Sequence, residues 1–134
     1  WDSSLSMTGN TAPYLMYSYA RSCSVLRKAG IPGFRKFRRE ALAADLAEPS
    51  AELILLLAAQ YPEIVVQAGR VNKPHVIAGH LFLMAQAFGT FWSECEILVE
   101  DPALRISRIL AVRIVNEVLN HGLGLLGIHA PESM

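Results

Sequence analysis

None of the short signatures of a catalytic or metal centre occurs in this sequence. There is no Walker loop, GxGxxG, HExxH or GxSxG, so no phosphate-cradling loop, zinc-protease helix or serine elbow is expected. Cysteine is scarce. Cys23 and Cys95 stand alone in apolar helical contexts with no CxxC pair, which argues against a zinc knuckle or a disulfide framework. They read as two reduced, buried thiols of a cytoplasmic protein. His75, His80, His121 and His129 lack a Ser, Cys or carboxylate partner at a recognisable catalytic spacing, and no catalytic site is expected. The longest uninterrupted apolar run covers residues 53–59, much too short for a bilayer span. The first residues show no basic stretch followed by an apolar one, so no signal peptide is expected. Strand-like alternation, internal repeats and low-complexity tracts are also missing.

What is present is an apolar, helix-patterned chain. Hydrophobic residues make up 52% of 134 and charged residues 18%, a composition suited to one compact domain with a helical core. Lys plus Arg and Asp plus Glu number 12 each, but the charge is unevenly placed. Residues 1–40 hold seven basic residues against Asp2 and Glu40, whereas residues 41–134 hold five basic against ten acidic. A basic end on a neutral chain points to a polyanionic partner more directly than the overall charge argues against one. The chain opens on Trp1, and a piece of a longer protein is expected.

Asn10 or Thr11 can cap a first helix, with Pro13 in its first turn and a stop at Gly30. A basic loop over 34–39 follows. A short helix is expected over 40–47, another from Pro49 or Ser50 to about Gln60, and a further short one over 63–69 after an interruption at Pro62. A long amphipathic helix opens at Pro74 and runs to about Leu98. Its apolar positions Ile77, Leu81, Met84, Phe88, Phe91 and Cys95 recur at helical spacing. Asp101 caps the next helix, which is expected to end at Gly122, with a last turn over 123–128. The fold reads as an all-α bundle of five or six helices.

Several groups of residues are candidates for function. On the first helix Tyr14, Tyr17 and Arg21 fall within about 60° of one another, while Leu15, Tyr19, Ser22 and Leu26 form a separate stripe. The tyrosines read either as core aromatics with hydroxyls at the rim or as rings that stack unpaired bases beside a guanidinium. Arg35, Lys36, Arg38 and Arg39 read as a solvated loop or as a phosphate-contacting one, acting with Arg27 and Lys28. Trp92 sits beside the core stripe of the long helix. In Asp101-Pro102-Ala103-Leu104-Arg105 the aspartate caps, the proline starts the helix, Leu104 enters the core and Arg105 points outward. Arg105 and Arg108 are left to touch a partner or to pair with acids such as Glu100.

Three stretches resemble one known family in order and spacing. The run from Gly9-Asn10-Thr11-Ala12-Pro13-Tyr14 to Ala20-Arg21 resembles the helix that follows the catalytic domain of arginyl-tRNA synthetases. Asp101, Ala103, Leu104 and Arg105 resemble the D-x-A-L-R signature of their anticodon-binding domain. The closing run Leu123-Gly124-Leu125-Leu126-Gly127-Ile128-His129-Ala130-Pro131-Glu132-Ser133-Met134 resembles the family's C-terminus. The resemblance covers residues 9–134. It implies a helical anticodon-binding domain of a class I aminoacyl-tRNA synthetase, with residues 1–8 as the end of the connection from a catalytic domain upstream. It also implies an arginine–tRNA ligase using ATP and Mg in that other domain, no cofactor in this one, tRNA-Arg and its anticodon stem-loop as partner, no membrane, and a cytoplasmic monomer. By position, Tyr14, Tyr17, Arg21, Trp92 and Met134 would lie at or near the anticodon. Met16 stands where glutamine is frequent and Ser133 where arginine is common. A free-standing helical interaction or regulatory module with the same fold is the competing expectation.

Overall fold

The computed structural model describes residues 11–30 and 49–133. Among the described residues there are four helices and no strand: α1 (Thr11–Lys28), α2 (Pro49–Val71), α3 (His75–Glu94) and α4 (Pro102–Leu125). The fold is all-α, and the expected five or six helices become four within the described chain. The short helix expected over 40–47 and the basic loop over 34–39 lie outside the described residues.

The central pair is α3 and α4. α2 packs on both, α1 packs on both, and α1 and α2 do not pack on each other. Ile77, Leu81, Met84, Phe88 and Phe91 of α3 are buried, as expected from their spacing, and so are Ile109, Val112, Val115 and Leu119 of α4. By length and hydropathy α2 and α3 are apolar enough to cross a bilayer. Here both place apolar stripes in the core of the bundle.

Three element boundaries differ from the sequence reading. The pieces expected on either side of Pro62 are one continuous helix, α2. A proline in a helix interior costs about 3 kcal/mol, but Ile54, Leu57, Tyr61 and Ala68 are buried on both sides of it. The Tyr61 hydroxyl and His121 Nδ1 of α4 share a hydrogen bond of 2.6 Å, so tertiary contacts hold both halves in line. α3 ends at Glu94 rather than near Leu98, because Cys95 turns to an extended backbone. Arg108 of α4 then donates to the Glu96 carbonyl and ties down the segment that follows.

The third difference is Gly122, which does not end α4. The helix continues to Leu125, and its true stop is Gly127 at φ 73°. The Ile128 N–H reaches the Leu123 carbonyl at 2.9 Å and the Gly127 N–H reaches that of Gly124 at 3.0 Å, a Schellman closure. Gly122 has another task. A Cβ there would lie 2.5 Å from Cδ2 and 2.7 Å from Cδ1 of Leu81, so the glycine is where α4 crosses α3 closely. Asn72, at φ 52°, takes the left-handed position after α2 that Asn tolerates better than most residues.

The fixed crossing gives a first prediction. Gly122→Ala gains about 1 kcal/mol of helix propensity but overpacks a fully buried leucine, a loss of typically 1–3 kcal/mol. The net change is a lower urea midpoint, and a raised midpoint would contradict the close crossing. A second prediction comes from Tyr19, whose pKa is pushed up to about 12 from 10.0, first by burial and then by its hydrogen bond with Cys23. Folding withholds the phenolate, so the stability this group contributes is complete below pH 10.0 and is lost as pH climbs toward 12. Burial pushes Tyr61 the same way. Unfolding midpoints measured across that interval should fall, and should fall less in Tyr19→Phe. An identical decline in that variant would assign the alkaline loss elsewhere.

Candidate nucleic-acid interface

The rotation of α1 about its axis decides what it offers to solvent. Leu15, Tyr19, Ser22 and Val25 are buried on its inner side. A polar tie fixes that orientation: Asn116 of α4 donates to Ser22 Oγ at 2.9 Å and to Cys23 Sγ at 3.2 Å. The Ser22 hydroxyl in turn donates to the Tyr19 carbonyl at 2.6 Å. With Ser22 held inward, Tyr17, Ser24 and Lys28 face outward, at successive helical spacings.

On that outer side Arg21 joins two rings. Its Nη2 donates to the Tyr17 hydroxyl at 2.5 Å. Its guanidinium carbon is 4.7 Å from the Tyr17 ring centre and 5.1 Å from the Trp92 ring centre on α3, within the range of cation–π attraction. Both rings remain accessible, Tyr17 at 48% and Trp92 at 40%. Trp92 is seated from below by Phe88, edge to face at 6.3 Å. A hollow of about 240 Å³ is lined by Tyr17, Arg21, Ser24, Arg27, Lys28 and Trp92, with Ser133 of the tail at its edge. The tail is held there by Arg27, whose Nη1 donates to the Glu132 carbonyl at 3.2 Å.

Tyr17, Arg21, Arg27, Lys28 and Trp92 are therefore brought together. Tyr14 is not among them. It is half-buried against α3, its ring 5.5 Å from that of Phe82, with its hydroxyl close to Gly89. It stands about 60° round the helix from Tyr17, on the flank nearer the core, and that angle separates a packing ring from an exposed one. Arg35, Lys36, Arg38, Arg39 and Met134 lie outside the described residues.

The 101–105 motif acts as a helix start. Asp101 accepts from the Ala103 N–H at 3.2 Å, and Pro102 takes the first turn. Leu104 is half-buried rather than fully in the core, Ala103 is exposed and Arg105 is partly covered. Arg108 donates to the Glu96 backbone carbonyl. Two histidines prove structural. His80 Nε2 donates to the Leu57 carbonyl at 2.7 Å, and His121 shares a hydrogen bond with the Tyr61 hydroxyl. Neither pairing was visible in the sequence, because the partners are 23 and 60 residues away. Ser24 and Ser133 were also missed as site residues. Ser24 follows Tyr17 by seven positions, two helical turns, and that spacing is the one signal that pointed to it. Among the described residues no three His, Cys, Asp or Glu gather as a metal site.

Comparison with known proteins matches the chain over nearly its whole length. The DALR anticodon binding domain family matches residues 15–134. The arginine–tRNA ligase of Pyrococcus abyssi is 41% identical over the whole of this chain, which covers 21% of that protein. The arginine–tRNA ligase of Alkaliphilus metalliredigens is 40% identical, again over the whole chain and 23% of that protein. The solved arginyl-tRNA synthetase of Thermus thermophilus superposes with a TM-score of 0.79 at 32% identity, over 96% of this chain and 22% of its own. The chain thus spans about a fifth of the length of the relatives it matches.

Proposed function

This chain belongs to the DALR anticodon binding domain family, and we propose that it binds the anticodon loop of tRNA-Arg as the RNA-recognition part of an arginine–tRNA ligase. The observation that carries this reading is the hollow in which Arg21 bridges the Tyr17 and Trp92 rings beside Arg27 and Lys28. Unpaired bases stack on such rings, and the neighbouring cations take the phosphates. A surface of this kind suits an unpaired RNA loop better than it suits the protein partner of a free-standing interaction module.

The ligase reaction belongs to the rest of the enzyme. ATP and Mg would be held there. What this chain does is bind and orient. It holds the anticodon end of the tRNA while the acceptor end reaches a catalytic domain, to which residues 1–8 would connect. The reading is of a cytoplasmic translation enzyme, monomeric in this domain.

Binding of a tRNA-Arg anticodon hairpin to the chain, followed by fluorescence anisotropy, tests the proposal. Log affinity should fall with log salt by about 0.7 per phosphate contact. Arg27→Ala should weaken all hairpins alike and reduce that slope by about 0.7. Arg21→Ala should cost about 1–3 kcal/mol and weaken the cognate hairpin more than one with an altered anticodon. A salt-independent affinity, or equal binding of an unrelated hairpin by the unaltered chain, would reject the reading.

A further inference from the structure

Trp92 lines two hollows. One is the polar hollow already described. The other, of about 330 Å³, lies between the end of α1 and the segment after α3, with Val25, Cys95, Ile97 and Leu98 as apolar walls, and it shares Trp92 and Lys28 with the first. Arg21 lines the polar hollow and not the apolar one. The cation therefore serves one side of the indole, and the second hollow is left with an aromatic wall and no guanidinium.

We propose that the apolar hollow is a second base-binding site, so that two consecutive unpaired nucleotides straddle Trp92, one in each hollow. The inference rests on the RNA-binding reading and extends it. Its size falls at the lower end of the range for small-molecule pockets, about 300–1,000 Å³, and a flat heteroaromatic ring suits apolar walls closed by an indole. Lys28 stands at the lip common to both hollows, where the phosphate joining the two nucleotides would lie. The apolar walls are held in place without RNA, because Ile97 is buried and Arg108 grips the Glu96 carbonyl.

Glu96 adds a preference. It belongs to the apolar hollow and is exposed, so its carboxylate is available to accept from an exocyclic amine. Cytosine, adenine and guanine offer one and uracil does not. The continuity with the cationic hollow favours a nucleotide over an apolar protein side chain as occupant.

The test uses the unaltered chain and a labelled anticodon hairpin in which each loop base is replaced in turn by an abasic site. Two adjacent positions should each weaken binding by about 5- to 160-fold, the effect of losing one stacked base. Leu98→Trp fills the apolar hollow from a half-buried position. It should abolish the penalty at one of those two positions and leave the other intact. Leu98→Glu repeats the test by charge, with circular dichroism confirming that each variant is folded. A single sensitive position, or Leu98 variants that shift every hairpin equally, overturns the second site and leaves the RNA-binding reading standing. The second of these outcomes would leave the apolar hollow to a protein contact. Failure of the intact hairpin to bind the unaltered chain overturns both.

Discussion

The close crossing of α3 and α4 at Leu81 and Gly122 is the constraint on which the other contacts rest. Among the described residues the outer helices, α1 and α2, have no direct contact with each other, and each packs on this pair. With no Cβ at Gly122, a fully buried leucine fits against the α4 backbone. Separation of the axes there would move Asn116, about 1.7 turns earlier on α4, away from Ser22 and Cys23. It would also move Trp92, on α3, relative to Arg21. The placing of Tyr17, Arg21 and Trp92 therefore depends on a packing contact about three turns from Trp92 along α3.

The second constraint is rotational. An amphipathic helix with several apolar stripes can dock in more than one orientation, and α1 has apolar or aromatic residues on much of its circumference. The Asn116 bonds to Ser22 and Cys23 select one orientation. Buried polar groups without partners are costly, so a rotated α1 would deprive the part-buried Asn116 amide of both acceptors. This specificity has a direct functional effect. It exposes Tyr17 and Arg21 next to Trp92 and directs Tyr14 toward Phe82.

Much of this was legible in the sequence where a residue's effect is local. The span of α1, the Asp101 cap and the buried stripes of α3 and α4 follow from periodicity and capping chemistry, which act within one or two turns. Pro62 and Gly122 were misread for a common reason. Each is a helix breaker by intrinsic preference, and each is overridden by partners distant in sequence: the Tyr61–His121 bond in one case, Leu81 in the other. The site was legible in part. Tyr17, Arg21, Arg27, Lys28 and Trp92 do meet, but the separation of Tyr14 from Tyr17 required knowing which flank of α1 faces α3. The apolar hollow was not visible at all, since it is built from the end of one helix and an irregular segment whose path is set by Arg108.

The energetics of the polar hollow explain why stacking and charge need each other here. In the free chain Arg21 already lies against both rings, a contact worth about 0.5–1 kcal/mol at exposed sites. A base entering that hollow gives up part of this contact in exchange for stacking worth about 1–3 kcal/mol. The net gain from stacking alone is small and favours no particular base. On the proposed reading, phosphates held by Arg27 and Lys28 would raise the affinity, and the displaced guanidinium would be free to meet an edge of the base. The whole chain has no net charge, so this attraction is local to the end of α1 and falls off within about 8 Å at physiological salt. Such a surface discriminates only when a flexible loop brings base and backbone to it together, a condition met by an unpaired RNA loop and not by a duplex whose bases remain stacked.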